Sequence, residues 1–284
     1  MSQTLSDKIA EFSSELGASI KSVVKMVAQS RRCTVKPVAK EGERLIIMGN
    51  GPSLADNIRN DRDKLSQDKT LAVNFAANAD EFTELKPNFY LLADPHFFIG
   101  RESDPNVGRL FKRFNDAVDW DMTLFVPVNR PTSSLGITNP HIKVEHFNLV
   151  GIEGFQWFTS AAYSAGLGMP RPRNVLVPAI MLGILMGFKD IYIIGADHSW
   201  IKTLDVNENN EVVSIQPHFY KDNNEEHSRV ASVYKNVRLH EILMSFHVAF
   251  KAYHQIAAYA SGKGVSIYNS TPASYIDAFP RRPI

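Results

Sequence analysis

From Arg44 onward the chain alternates short apolar runs with longer amphipathic ones, and this constrains its fold more than any other feature. Strands are expected at Leu45–Met48, Thr70–Asn74, Phe89–Ala93, Thr123–Val126, Lys143–Glu145, Ile191–Gly195 and Val265–Tyr268. Helices are expected near Leu54–Leu65, Val107–Ala117, Val175–Gly187 and from about Val230 to Ala260. Strands linked through helices pair in parallel, because the crossover carries the chain back to the edge where the first strand began. The expected fold is α/β: a Rossmann-like, mainly parallel sheet with helices on both faces, forming a single domain over residues 43–284. Ligands of such sheets sit beyond the carboxyl ends of the strands.

The hexapeptide Gly49-Asn50-Gly51-Pro52-Ser53-Leu54 follows the first strand directly. A glycine turn lets the backbone pass close to a ligand, and exposed amides at the start of the next helix favour an anion such as phosphate. By itself the motif fits an ordinary strand-to-helix connection equally well. Other polar residues that end strands join Asn50 on the same edge: Asn74, Asp94 and Asp197. Asp197 begins Asp197-His198-Ser199-Trp200, which places a carboxylate, an imidazole and a hydroxyl at one strand terminus. The competing role for a strand-end Asp is a helix cap, and for His198 a satisfied structural histidine.

Charge and cysteine usage remove several classes. Lys and Arg total 31 against 30 Asp and Glu, so no net field attracts nucleic acid. The single cysteine, Cys33, excludes an intramolecular disulfide and a multi-cysteine zinc site, and fits a reducing, cytoplasmic setting. Met1 to Phe12 carries Asp7 and Glu11 without an apolar run, unlike a secretory signal. The longest apolar stretch, Val175 to Phe188, is shorter than the ~20 residues of a membrane span. His-Glu-x-x-His, Gly-x-Ser-x-Gly and lysine-bearing phosphate-loop signatures are missing, so no protein-held metal and no cofactor are expected.

Two segments stand apart from the alternation. Residues 1–42 form an amphipathic helical segment in which Leu5, Ile9, Phe12, Leu16, Ile20, Val23, Val24 and Val27 recur at helical spacing, followed by basic residues. Three readings fit it: peripheral contact with the inner face of the cytoplasmic membrane, self-association through residues 1–40, or packing on its own domain. Residues from about 200 to 226 are polar and asparagine-rich, and read as a lid after a strand-end Asp or as a surface insertion. Farther on, His240, His247 and His254 share one helix face, but consecutive members lie about 10.5 Å apart and cannot hold one ion together. One of them can serve as a general base.

Arg44-Leu-Ile-Ile-Met-Gly-Asn-Gly-Pro-Ser-Leu54 resembles the opening signature of the bacterial sialyltransferases of glycosyltransferase family 42. Asn74 falls where that family has a strand-end Asn, and Tyr90-Leu-Leu-Ala-Asp94-Pro-His-Phe-Phe98 is similar to its tyrosine, Asn-Pro and paired-Phe segment, with Asp94 in place of Asn. Asn174 to Lys189 and the strand running into Gly195-Ala-Asp197 resemble its nucleotide-side helix and Gly-Ile-Asp. The resemblance implies a metal-independent, inverting transfer from a CMP-activated nonulosonic acid or related CMP-sugar to a glycan or glycoconjugate acceptor.

It further implies a nucleotide site of Asn50, Gly51, Ser53, Asn74, Asp94, Asn174 and Asp197. Counted back from the last core strand, the family's base histidine falls on His247, with His227 as runner-up. Where the family has a first phosphate-binding tyrosine this chain has Ser199, so Tyr220 is the expected substitute, with Arg171, Arg173 and His198 as further phosphate or substrate candidates. A similar Gly-Asn/Ser-Gly-Pro-Ser start followed by a strand-end Asp also occurs in Maf-type flagellin glycosyltransferases and in the archaeal pterin pyrophosphokinases related to them. The latter would need ATP and Mg²⁺ on carboxylates such as Asp94 and Asp197. A non-catalytic nucleotide-binding or scaffold protein is the remaining alternative.

Overall fold

A computed structural model describes residues 4–99, 103–213 and 237–284. Its strands are β1 (Arg44–Met48), β2 (Lys69–Val73), β3 (Phe89–Leu91), β4 (Met122–Pro127), β5 (Ile142–Phe147), β6 (Asp190–Ile194), β7 (Asp205–Val206), β8 (Val212–Val213) and β9 (Ser266–Asn269). Seven of them make one sheet in the order β5-β4-β3-β2-β1-β6-β9, every neighbouring pair parallel. The fold is thus α/β and Rossmann-like, as the alternation predicts. The chain builds outward from β1 to β5 and then returns to the other side of β1 to lay down β6 and β9. That reversal, between β1 and β6, is the topological switch point where such sheets open a crevice.

Both faces of the sheet are covered, which is why its strands are continuous apolar runs rather than alternating ones: Leu45, Ile46 and Ile47 of β1 are all fully buried. On one face lie α1 (Leu5–Gln29), α7 (Gln156–Ser164), α8 (Leu176–Leu185) and α9 (Leu239–Gly262); on the other lie α2 (Leu54–Asn60), α3 (Arg62–Gln67), α4 (Phe82–Leu85), α5 (His96–Ile99) and α6 (Pro105–Ala117). Residues Leu176 to Ile184 of α8 are buried without interruption, since the helix is enclosed by the sheet and α9. Gly183 permits that approach: a Cβ there would lie 2.8 Å from Leu45 Cδ2. In α6, Asp104 accepts the Asn106 amide (2.8 Å), Pro105 occupies the first turn, and Val107, Leu110, Phe111 and Phe114 form the buried stripe.

The structure departs from expectation in local ways. The helix expected over 54–65 is two, broken at Asp61, whose φ of −119° and ψ of 18° leave the helical region. The long C-terminal helix starts at Leu239 within the described residues. Part of the asparagine-rich segment is the β7–β8 hairpin, tied by Asn207 Oδ1, which accepts the Asn209 and Glu211 amides (3.0 and 2.9 Å). The remainder of the expected lid, from residue 214, lies outside the described residues, as do Tyr220 and His227. None of the described helices is long and apolar enough to cross a membrane.

Candidate functional site

At the switch point the two glycine turns lock together. The Gly49 amide donates to Ile194 O and the Gly51 amide to Gly195 O, both at 2.8 Å. A Cβ on Gly49 would fall 2.4 Å from Gly195 O, and one on Gly51 would fall 2.0 Å from Asp197 Oδ2. Gly195 itself has φ of +62°, the left-handed region that glycine enters without penalty. These glycines are required because two backbones touch.

Asp197 then turns back to α2: its Oδ2 accepts the Ser53 hydroxyl at 2.8 Å and the Ser53 amide at 3.4 Å. The amides of Gly49, Gly51 and Ser53 already have acceptors, and the negative charge at the start of α2 is the protein's own carboxylate. What the crevice leaves unsatisfied is different. Asn50 Oδ1, Asn74 Oδ1 and Asn174 Nδ2 are buried without a hydrogen-bond partner among the described residues. Asn50 bridges to the neighbouring strand by donating Nδ2 to Val73 O (3.3 Å), which fixes its Oδ1 as the spare acceptor. Asn74, held at φ +52°, follows at the end of β2, and its carbonyl accepts the Tyr90 hydroxyl (2.6 Å). Each such orphan costs about 1–3 kcal/mol until a partner arrives.

Across the crevice, Asn174 Oδ1 accepts the Leu176 and Val177 amides (3.0 and 3.3 Å) at the start of α8, so it is an acceptor and its Nδ2 is the spare donor. The Tyr253 hydroxyl spends its one proton on the same Oδ1 (3.0 Å). His198 Nε2, 2.7 Å from the Tyr253 oxygen, must then carry the ring proton, leaving the lone pair on Nδ1. Burial among Trp200, Phe250 and Tyr253 lowers the His198 pKa to about 4, so the ring is neutral at pH 7. The same burial pushes the Tyr253 hydroxyl up, holding it as a donor. His198 has φ of +51°, an unusual backbone for a non-glycine residue and one that this packing holds in place.

The loop after β9 holds the Asp197 turn from behind. Thr271 Oγ1 accepts the Ala196 amide (3.0 Å), Ser274 Oγ donates to Ala196 O (2.6 Å), and the Tyr275 amide donates to Asp197 O (3.0 Å). Sequence reasoning missed Tyr253, Thr271 and Ser274; the run Asn269-Ser270-Thr271-Pro272 at a strand end was the available signal.

The other expected site residues spread around this centre. Asp94 is exposed and its Oδ1 accepts the His96 amide (2.8 Å) at the start of α5. Ser199 opens a single 3₁₀ turn over Ser199–Thr203. Arg171 lies 3.9 Å from Glu153, and Arg173 is exposed. His247 is exposed on α9, where it lines an open groove of about 520 Å³ with Ile201, Phe250, Lys251, His254, Tyr275 and Asp277. Ile201 and Tyr275 join this groove to the Asp197 turn. Among the described residues His254, not His247, has a carboxylate behind it, at 3.2 Å from Asp277. A larger depression, about 640 Å³, lies at the opposite, amino edge of the sheet around Arg44 and Asp68, away from the strand ends where such folds bind ligands. No group of three or more metal-ligating side chains occurs among the described residues.

The sequence matches no protein-family profile and no curated protein. Among solved structures the chain is similar to a MAf glycosyltransferase from Magnetospirillum magneticum AMB-1, with 9% identity and a TM-score of 0.48. That alignment takes in 94% of this chain and 38% of the other, so the present chain spans well under half of that protein's length.

Proposed function

We propose that this protein is a glycosyltransferase that binds a nucleotide-activated sugar at the β1/β6 switch point, with a CMP-linked nonulosonic acid as the donor class. The observation that carries the reading is the set of three unsatisfied asparagine amides flanking the crevice: two acceptors, on Asn50 and Asn74, and one donor, on Asn174. Ribose hydroxyls and the cytosine amino group supply donors for the first pair. A phosphate or carboxylate oxygen supplies the acceptor for the third. The motif resemblance noted above supports the same donor class.

In this reading the acceptor hydroxyl approaches through the α9 groove, and His247 takes its proton as the new bond forms to the anomeric carbon of the donor. The bond from that carbon to the CMP phosphate breaks, and its electron pair leaves with the phosphate. Asn174 Nδ2, Ser199 and the Arg171–Arg173 segment are the groups on this side that can stabilise it, with Tyr220 from the residues beyond β8. The neutral His198, with its lone pair on Nδ1, does not serve a phosphate; it holds Tyr253 and Asn174 in place. Asp94 and Asp197, the carboxylates a pyrophosphokinase would use, are instead engaged with the His96 amide and Ser53.

The test is CMP-sugar hydrolysis and transfer measured in chelator. His247→Ala should lose at least about 100-fold in rate while CMP affinity persists. Unchanged turnover would remove His247, and loss in His254→Ala alone would move the base one helical heptad along the groove. Activity that needs ATP and Mg²⁺ would overturn the reading.

A further inference from the structure

Helix α1 is seated on the domain by its polar side. Ser22 Oγ donates to Glu153 O and accepts the Glu153 amide, both at 2.8 Å, and Ser19 Oγ accepts the Phe155 amide at 3.1 Å. Its apolar stripe lies roughly a quarter turn away and faces outward, with eight large apolar side chains 43 to 79% exposed. Its own domain covers this stripe only in part: Phe12 rests on Phe155, with ring centroids 5.3 Å apart, and the larger share of the stripe is left open. Residues 4–11, beyond the Phe12 contact, are exposed, although a helical arm of that length is marginal in water without a partner.

We infer that α1 pairs with α1 of a second copy of this chain, antiparallel, about a two-fold axis at Leu16. The stripe is palindromic: Leu5, Ile9 and Phe12 precede Leu16 at the same distances at which Val27, Val23 and Ile20 follow it. A two-fold antiparallel pair sets residues at matching distances from the axis at the same height. Leu5 thus meets Val27 of the other copy, Ile9 meets Val23, Phe12 meets Ile20, and Leu16 meets itself. Such a face is self-complementary, as an isologous contact demands. With the seven paired side chains 43 to 79% exposed, the apolar seam and the flanking charged residues together approach the roughly 800 Å² per partner of a standard interface.

Charge favours a second copy over a lipid surface. Between Leu5 and Gln29 the helix carries Asp7, Glu11 and Glu15 against Lys8, Lys21 and Lys25, so it has no net charge for anionic headgroups, whereas helices that lie in the interface are rich in Lys and Arg. In the antiparallel pair the acidic first half of one helix runs beside the lysine-bearing second half of the other. The seated second half of each helix receives the projecting first half of its partner.

The test uses the full chain. Sedimentation equilibrium should give twice the chain mass at micromolar concentration, and Leu16→Asp, an exposed change present twice on the axis, should return it to one chain mass with the cooperative unfolding transition of the domain retained. Register is tested with a short thiol cross-linker, with the native chain as blank because its one cysteine, Cys33, packs against the core. Leu16→Cys should cross-link to dimer and Ile9→Cys should not, since two Ile9 positions lie about 21 Å apart along an antiparallel pair. Equal cross-linking at both positions would mean parallel pairing and overturn the proposal. A monomer at every concentration overturns it too; if that monomer sediments with phosphatidylserine-containing vesicles, the stripe belongs to a membrane surface.

Discussion

Gly51→Ala tests the interlocked turns most sharply. The Gly51 backbone is not in the left-handed region, so its substitution carries no conformational penalty and the cost is steric. The new Cβ lies 2.0 Å from Asp197 Oδ2 and 2.8 Å from Gly195 O. To clear the first contact the carboxylate must swing away and lose its 2.8 Å bond from the Ser53 hydroxyl, about 1.5–3 kcal/mol for a bond to a charged group. To clear the second, the two turns must separate and stretch the Gly51 amide to Gly195 O bond, about 1 kcal/mol more, with overpacking strain of about 1–3 kcal/mol. The expected total is about 3.5–7 kcal/mol, read as a shift in urea midpoint with an unchanged slope. In an Asp197→Ala background only the Gly195 contact remains, so adding Gly51→Ala should cost about 2–4 kcal/mol. A single variant within about 0.5 kcal/mol of the parent, or costs that add in the double variant, would refute the geometry.

Three further outcomes follow from the site. His198 stays neutral down to about pH 4 in the folded chain, against an ordinary value of 6.5, so the unfolded chain binds its proton first as pH falls. The stability that depends on the neutral ring is complete above pH 6.5 and lost progressively toward pH 4, up to about 3 kcal/mol; His198→Gln should flatten that part of the pH–stability curve, and an unflattened curve would contradict the burial argument. Asn50→Ala removes one 3.3 Å bond and an orphan acceptor together, so calorimetry should find stability within about 1 kcal/mol of the parent but nucleotide affinity reduced at least about 10-fold; equal affinity would free Asn50 from the site. Ser274→Ala strips the buried hydroxyl that donates to Ala196 O and accepts from Asn269 Nδ2 (3.1 Å), and should cost about 2–3 kcal/mol in denaturant unfolding.

The sheet was legible because its strands are buried on both faces and so read as unbroken apolar runs, with Leu45–Met48 and Ile191–Ile194 found almost to the residue. The strand-end polar residues were legible for the same reason: once the sheet is parallel, Asn50, Asn74 and Asp197 must share one edge. Their partners were not. Ser53 meets Asp197 across a sequence separation of 144, and Tyr253 reaches Asn174 from the middle of a helix whose pattern marks Tyr253 only as core. Sequence leaves the glycine turn open between an anion cradle and a plain strand-to-helix connection, because it cannot show that the Gly49 and Gly51 amides face Ile194 and Gly195. The stripe on α1 was found from its period, but its direction outward depended on Ser19 and Ser22, two residues that period alone assigns to the solvent side.

The central claim, a nucleotide-sugar site at the β1/β6 crevice, is tested most directly by thermal shift with CMP, UDP, GDP and ATP, each with and without Mg²⁺. CMP at about 100 times its dissociation constant should raise stability by about 2.7 kcal/mol, a shift of about 5 °C, with no requirement for Mg²⁺ and with the effect weakened in Asn50→Ala and Asn174→Ala. Stabilisation by ATP only in the presence of Mg²⁺, or by none of the four nucleotides, would contradict it.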